Sequence, residues 1–255
     1  MARKYPKDIV IKGQLYEYEK ILKDDFFSVN VLYKNRDGER YVLKLSDFRF
    51  LFGLLLRPFA IWMSSHEYKI YKMVEDIDGI AELGPRYGWR GYFHKYIEGN
   101  TLHELGTKAT LPDDFFDGLK AIIEELHRRR IFYLDLNKRG NIILGEDNKP
   151  WLIDFQICQY FKPRRGLLGK WSDKIFNKLI QEDVYHIYKH KRKFQPDLIT
   201  KDELKLSQRS KLAQRYDKFW GTPYRRIKRK LYPSGSNEII WYKWKKMKDQ
   251  TKRMP

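Results

Sequence analysis

The residues with chemical potential in this 255-residue chain concentrate in two short segments. The first is Tyr133-Leu134-Asp135-Leu136-Asn137-Lys138-Arg139-Gly140-Asn141-Ile142-Ile143-Leu144, and the second, Leu152-Ile153-Asp154-Phe155-Gln156, places an acid thirteen residues after Asn141. Asp135 and Asp154 are each set among apolar neighbours, where an ionised carboxylate is costly unless a cation or several donors compensate it. Carboxylate and amide oxygens are also what a hard cation such as Mg2+ takes as ligands. Between Asn141 and Asp154, two apolar runs flank the turn sequence Gly145-Glu146-Asp147-Asn148-Lys149-Pro150, which predicts a β-hairpin. A hairpin brings its ends together, so oxygens distant in sequence can face one ion.

In this order the residues resemble the protein-kinase-like superfamily, whose signature runs from a catalytic-loop Asp through an Asn and a hairpin to an Asp-Phe-Gly metal ligand. The resemblance implies that Asp135 orients an attacking hydroxyl, and that Asn141 and Asp154 hold Mg2+ against the phosphates of ATP. It also implies that Lys44, at the end of Tyr41-Val42-Leu43-Lys44, contacts those phosphates and pairs with Glu67, and that backbone groups at Lys95 and Ile97 meet the adenine edge. Taken singly, Lys44 reads as a surface lysine and Glu67 as a solvated helix charge; their order with the three oxygen ligands is what points to a site.

The chain departs from the usual pattern in three places. Asn141 follows Asp135 by six residues instead of five, Gln156 replaces the glycine, and Leu22 to Val29 lacks the glycines that normally cover phosphates. With the first two departures the chain resembles the Asp-Leu-x-x-Arg-x-Asn and Ile-Asp-Phe-Gln form of a subfamily of small bacterial kinase-like proteins, and so resembles lipopolysaccharide kinases and RIO-like kinases. The third puts close backbone approach in question: Ser28 offers one hydrogen bond, while Asp24 and Asp25 repel a triphosphate unless turned away. Lys138 or Arg139 is left to neutralise the transferred group, because Asn137 stands where many protein kinases carry lysine. Asp183 reads equally as a brace for the catalytic loop or an exposed helix charge, and His127 as a helix residue.

The elements that must position these groups are legible in outline. Strands joined by tight turns are predicted from Gln14 to Leu45, with Asn35-Arg36-Asp37-Gly38 as a hairpin turn. A helix capped by Ser64 and Ser65 is expected over residues 64–76, then a Gly- and Pro-punctuated stretch through Gly79, Gly84 and Pro85, a strand from Tyr92 to Ile97, and a helix from Phe115 to Arg130. Beyond Gln181 the chain reads as mainly helical, broken near Pro196, Pro223 and Pro233. The expected fold class is α+β: a two-lobed kinase-like domain with a small antiparallel-sheet N-lobe (1–97), a reduced, mainly helical catalytic C-lobe (98–195) and a basic helical tail (196–255).

Composition narrows the setting. The formal charge of +19 is carried almost entirely by residues 161–255, which hold 27 Lys/Arg against 9 Asp/Glu, whereas residues 1–160 hold 25 against 24. Such a block attracts polyanions, anionic lipid and phosphorylated glycan ahead of nucleic acid, or serves simply as a solvated face. One cysteine, Cys158, forms no internal disulfide, and no segment has the order of a signal peptide, which points to a reducing, cytoplasmic setting. Residues 48–63 are largely apolar but too short and broken to span a bilayer; they read as packed in the small lobe or lying on a membrane. Trp241-Tyr242-Lys243-Trp244-Lys245-Lys246 suits the headgroup level of the inner face of the cytoplasmic membrane.

No Ala-Pro-Glu segment or large peptide-holding lobe follows Asp154. The function expected from the resemblance is therefore an ATP- and Mg2+-dependent phosphotransferase acting on a hydroxyl of a lipopolysaccharide-type or other glycolipid acceptor. The alternatives are a RIO-like atypical protein kinase near ribosomal particles and a pseudokinase scaffold, the latter motivated by the glycine-free loop and Gln156.

Overall fold

A computed structural model describes residues 5–24, 28–46 and 57–208, and the architecture is α+β. Six antiparallel strands, β1 (Asp8–Ile11), β2 (Gln14–Asp24), β3 (Ser28–Asn35), β4 (Arg40–Ser46), β5 (Leu83–Tyr87) and β6 (Gly91–Lys95), form one sheet in the order β1-β2-β3-β4-β6-β5. The β3–β4 turn is closed as its sequence predicts. Gly38 takes φ 84° and donates its N–H to the Asn35 carbonyl, and the Asn35 side chain accepts the Glu39 amide at 2.8 Å.

Alternation along β4 decides which side chains reach the site. Leu43 and Leu45 join Val29, Val31, Tyr33 and Phe93 in an apolar cluster on one face. Lys44 therefore points to the other face, which α1 (Arg57–Lys72) covers. The buried residues of α1, Ala60, Ser64, Glu67, Ile70 and Tyr71, recur at helical spacing, so Glu67 is carried inward on the apolar stripe.

Three expectations are corrected here. The helix expected over 64–76 spans Arg57–Lys72, and Ser64 is buried within it instead of capping it. Pro58, one of the breaks in the apolar run 48–63, sits in the first turn of that helix, where proline is tolerated. The stretch around Gly84 and Pro85 is strand β5, an edge strand whose register shifts between Leu83 and Arg86, where a proline is tolerated. The strand after it stops at Lys95 rather than Ile97.

The remaining elements are β7 (Gly99–Thr101), α2 (Leu102–Leu105), α3 (Phe115–Arg128), β8 (Ile131–Phe132), β9 (Ile142–Gly145), β10 (Pro150–Leu152), β11 (Gln159–Tyr160), α4 (Gly166–Phe194) and α5 (Lys201–Leu206). β9 and β10 form the predicted hairpin, with Leu152 opposite Ile142, and β7 adds to it. Gly99 is required at that junction: at φ 149° a Cβ would lie 2.2 Å from the Leu144 carbonyl oxygen. The largest apolar cluster joins α1 and α3 to the segments around both carboxylates, through Tyr71, Leu119, Ile123, Tyr133, Leu136, Phe155 and Ile187.

The helix read from Gln181 onward begins at Gly166 and ends before the expected break at Pro196. Leu51, Leu54, Leu55, Asp25, the breaks at Pro223 and Pro233 and the segment Trp241 to Lys246 lie outside the described residues. Among the described residues, no helix is long and apolar enough to cross a membrane.

Candidate functional site

Three positions far apart in sequence converge on one ammonium group. Lys44 Nζ donates to Glu67 Oε1 at 2.6 Å and to Asp154 Oδ1 at 2.8 Å, across 23 and 110 residues of chain. Lys44 is 6% exposed and Glu67 1%, so neither charge is tolerable without the other. Burial works against the Lys44 ammonium, but the Asp154 and Glu67 carboxylates outweigh it and hold its pKa above the ordinary lysine value. Burial raises the Glu67 carboxyl despite Lys44 beside it. Asp154 moves the other way: burial opposes ionisation, yet the attraction of Lys44 and its hydrogen bond, with Lys138 and Lys23 adding to the pull, hold the carboxyl at about 2.

Asp154 is held in position by the residues on either side. The Ile153 N–H donates to the Asn141 carbonyl at 3.0 Å, and the Tyr133 hydroxyl donates to the Ile153 carbonyl. Phe155 is fully buried, edge-on to Tyr71 and Tyr133 at centroid distances of 5.2 and 5.6 Å. Between these fixed neighbours Asp154 takes φ 69°, a left-handed conformation that an L-residue adopts at a cost.

Asp135 is 8% exposed, and its Oδ2 accepts from Lys138 Nζ at 2.5 Å and Asn141 Nδ2 at 3.1 Å. Of the two cations that the sequence left open, Lys138 is therefore the one on the candidate catalytic acid. Asn141 turns its amide NH2 toward Asp135, which leaves its Oδ1 as an oxygen donor. Leu134, just before Asp135, has φ 69°, an outlier for a bulky side chain.

The support beneath this strained turn comes from α4. Asp183, with no exposed surface, accepts the backbone N–H groups of Tyr133 at 3.0 Å and Leu134 at 3.1 Å, and His127 Nε2 lies 3.0 Å from the same carboxylate. Of the two roles open for Asp183, the geometry is that of the brace. One turn pair further along α4, His190 donates from Nε2 to the Leu136 carbonyl at 2.9 Å, and burial pulls its pKa down to about 4, so the ring is neutral.

Of the two backbone positions expected at an adenine edge, Lys95 already uses both its groups: its N–H donates to the Glu82 carbonyl at 2.8 Å and its carbonyl is met by His94 Nδ1 at 2.9 Å. Its side chain pairs with Glu39 at 3.1 Å. Ile97 is half-buried, and among the described residues its N–H and carbonyl carry no hydrogen bond.

The sequence did not disclose Tyr133, His190 or Lys23. Asp183, Ile187, His190 and Phe194 recur every three or four residues, an inward stripe that mixes titratable with apolar groups and was the available signal. Ser28 is buried at the start of β3, while the turn 25–27 lies outside the described residues. No family model matches the chain, and a search of curated proteins also returns no match.

Proposed function

We propose that the chain is a two-lobed kinase-like phosphotransferase that binds MgATP with Lys44, Asn141 and Asp154 and uses Asp135 to orient an acceptor hydroxyl. The observation that carries the proposal is Lys44 held between Glu67 and Asp154 beside the Asp135–Asn141 pair. Glu67, buried, and Asp154, partly buried, share the Lys44 ammonium, and the exposed part of Asp154 is where a divalent cation would bind. Asp154 and the Asn141 Oδ1 are oxygen donors of the type Mg2+ accepts when phosphates complete its shell. Bound there, Mg2+ would neutralise charge on the phosphates.

The residues of the chain carry the rest. Lys44, Lys138 and Lys23, the three cations that act on Asp154, form a setting suited to a polyphosphate. Asp135, fixed by Lys138 and Asn141, would accept the hydrogen bond of a hydroxyl and hold it in line. The free N–H and carbonyl of Ile97 would meet the adenine edge, with Lys95 confined to holding the strand. The acceptor we propose is a hydroxyl on a glycolipid of the lipopolysaccharide type, at the cytoplasmic face of a membrane.

The test is incubation of the purified protein with γ-labelled ATP and membrane extract. Label in the lipid fraction that is lost in Asp135→Asn supports the acceptor class. Label on protein alone would favour an atypical protein kinase, and no nucleotide binding at all would favour a scaffold.

A further inference from the structure

We propose that the segment from β11 into the first half of α4 is a docking face for an anionic lipid bilayer, distinct from the nucleotide site. Leu167, Leu168 and Trp171 are 79%, 71% and 69% exposed, and Ile175 45%. Positions 168, 171 and 175 are successive on one helix face, and Leu167 widens the stripe. Such a run of large apolar groups facing solvent marks an interaction surface. Beside it, Tyr160, Leu168, Trp171 and Ile175 line an open groove of about 430 Å3, together with Lys162 and Arg164.

The charge around the stripe names the occupant. Residues 159–178 contain six Lys/Arg and one acid, Asp173, which is spent on Arg130 at 2.5 Å. Lys162, Arg164, Arg165, Lys170, Lys174 and Lys178 are all exposed, and among the described residues none has an acidic partner. Aliphatic groups flanked by unpaired cations, with a tryptophan between them, fit the boundary between acyl chains and anionic headgroups. A single-stranded nucleic acid would use the cations but stacks bases on aromatic rings, leaving the two leucines without a role.

α4 also links this face to the candidate site, because its other half carries Asp183 and His190 beneath the Asp135 turn. From Leu168 to Asp183 the helix rises roughly 22 Å at 1.5 Å per residue. Docking at one end of one helix would therefore hold the Asp135 turn at a fixed height and tilt over the membrane. The docking claim itself does not depend on phosphoryl transfer, and the two can fail separately.

The test uses the full chain in flotation with vesicles of phosphatidylcholine alone and with about 30% phosphatidylglycerol. The expected result is binding to the anionic vesicles only, weakened at least tenfold in the variant L167Q/L168Q/W171Q, since full burial of even one such side chain contributes roughly tenfold. These side chains are exposed, so circular dichroism should show an unchanged fold. Leu168→Cys gives a second measurement: Cys158 is the only cysteine and is buried, so a fluorophore at 168 should be quenched by lipids carrying a shallow acyl-chain quencher. Equal binding of variant and wild type, binding indifferent to lipid charge, or no quenching at 168 would overturn the proposal. So would loss of RNA binding or of dimer mass in the variant with vesicle binding intact.

Discussion

Removing Asp183 should unfasten the turn that carries Asp135, and the size of the effect follows from what its carboxylate holds. It accepts the Tyr133 and Leu134 amides at 3.0 and 3.1 Å and faces His127 Nε2 at 3.0 Å, with no exposed surface. Hydrogen bonds to a charged acceptor are each worth about 1.5–3 kcal/mol, and a buried donor left unmade costs about 1–3 kcal/mol. Relief from burying a carboxylate offsets part of this, as does any relaxation of Leu134 out of φ 69°. Breaking such a buried charged network leaves a net cost of about 3–5 kcal/mol. For a chain of this size, roughly 2–4 °C of Tm accompany each kcal/mol, so Asp183→Ala should melt about 10 °C lower. Asp183→Asn keeps one acceptor and should lose about half as much. Thermal unfolding followed at 222 nm reads both, and Tm values within about 2 °C of wild type for the pair would refute the brace.

Four further outcomes are expected. Lys44→Met should destabilise by about 3–5 kcal/mol in urea unfolding by stranding Glu67, and adding Glu67→Gln should recover about 1 kcal/mol or more; additive losses would refute the coupling. His94 and His190 are both held down to about 4 by burial. Each stays neutral when folded but takes a proton when unfolded below about 6.5. Stability should thus be full above about pH 6.5 and fall by roughly 1.4 kcal/mol per pH unit for each histidine toward pH 4, as urea midpoints across that range would report. Cys158 is buried, with burial first among the causes that raise its thiol pKa, so a disulfide reagent should react only after denaturant is added. Gly99→Ala should lower Tm by several degrees, because its Cβ has no room against the Leu144 carbonyl.

Local periodicity made much of the site's scaffold legible. The Asn35–Gly38 turn between two strand-like runs placed Lys44 on a hairpin strand, and the turn after Gly145 placed Asn141 near Asp154. Carboxylates embedded in apolar sequence marked Asp135 and Asp154, since such groups need partners. What was not legible depends on contacts between distant elements. Nothing around Lys138 or Arg139 says which reaches Asp135, and nothing around Tyr133 announces a hydroxyl on the Ile153 carbonyl. Helix α1 was misplaced because Pro58 and its apolar neighbours serve a helix start as well as a membrane-surface segment. Strand β5 was obscured by Gly84 and Pro85, whose turn preference yields to an edge position beside β6.

Calorimetric titration of the full chain with ATP, with and without Mg2+, decides whether Lys44, Asn141 and Asp154 form the proposed MgATP site. Binding that requires Mg2+ and is lost in Asp154→Ala, a variant with an unchanged circular dichroism spectrum, is the result predicted. Binding of equal strength in Asp154→Ala, or none in the wild-type chain, would contradict it.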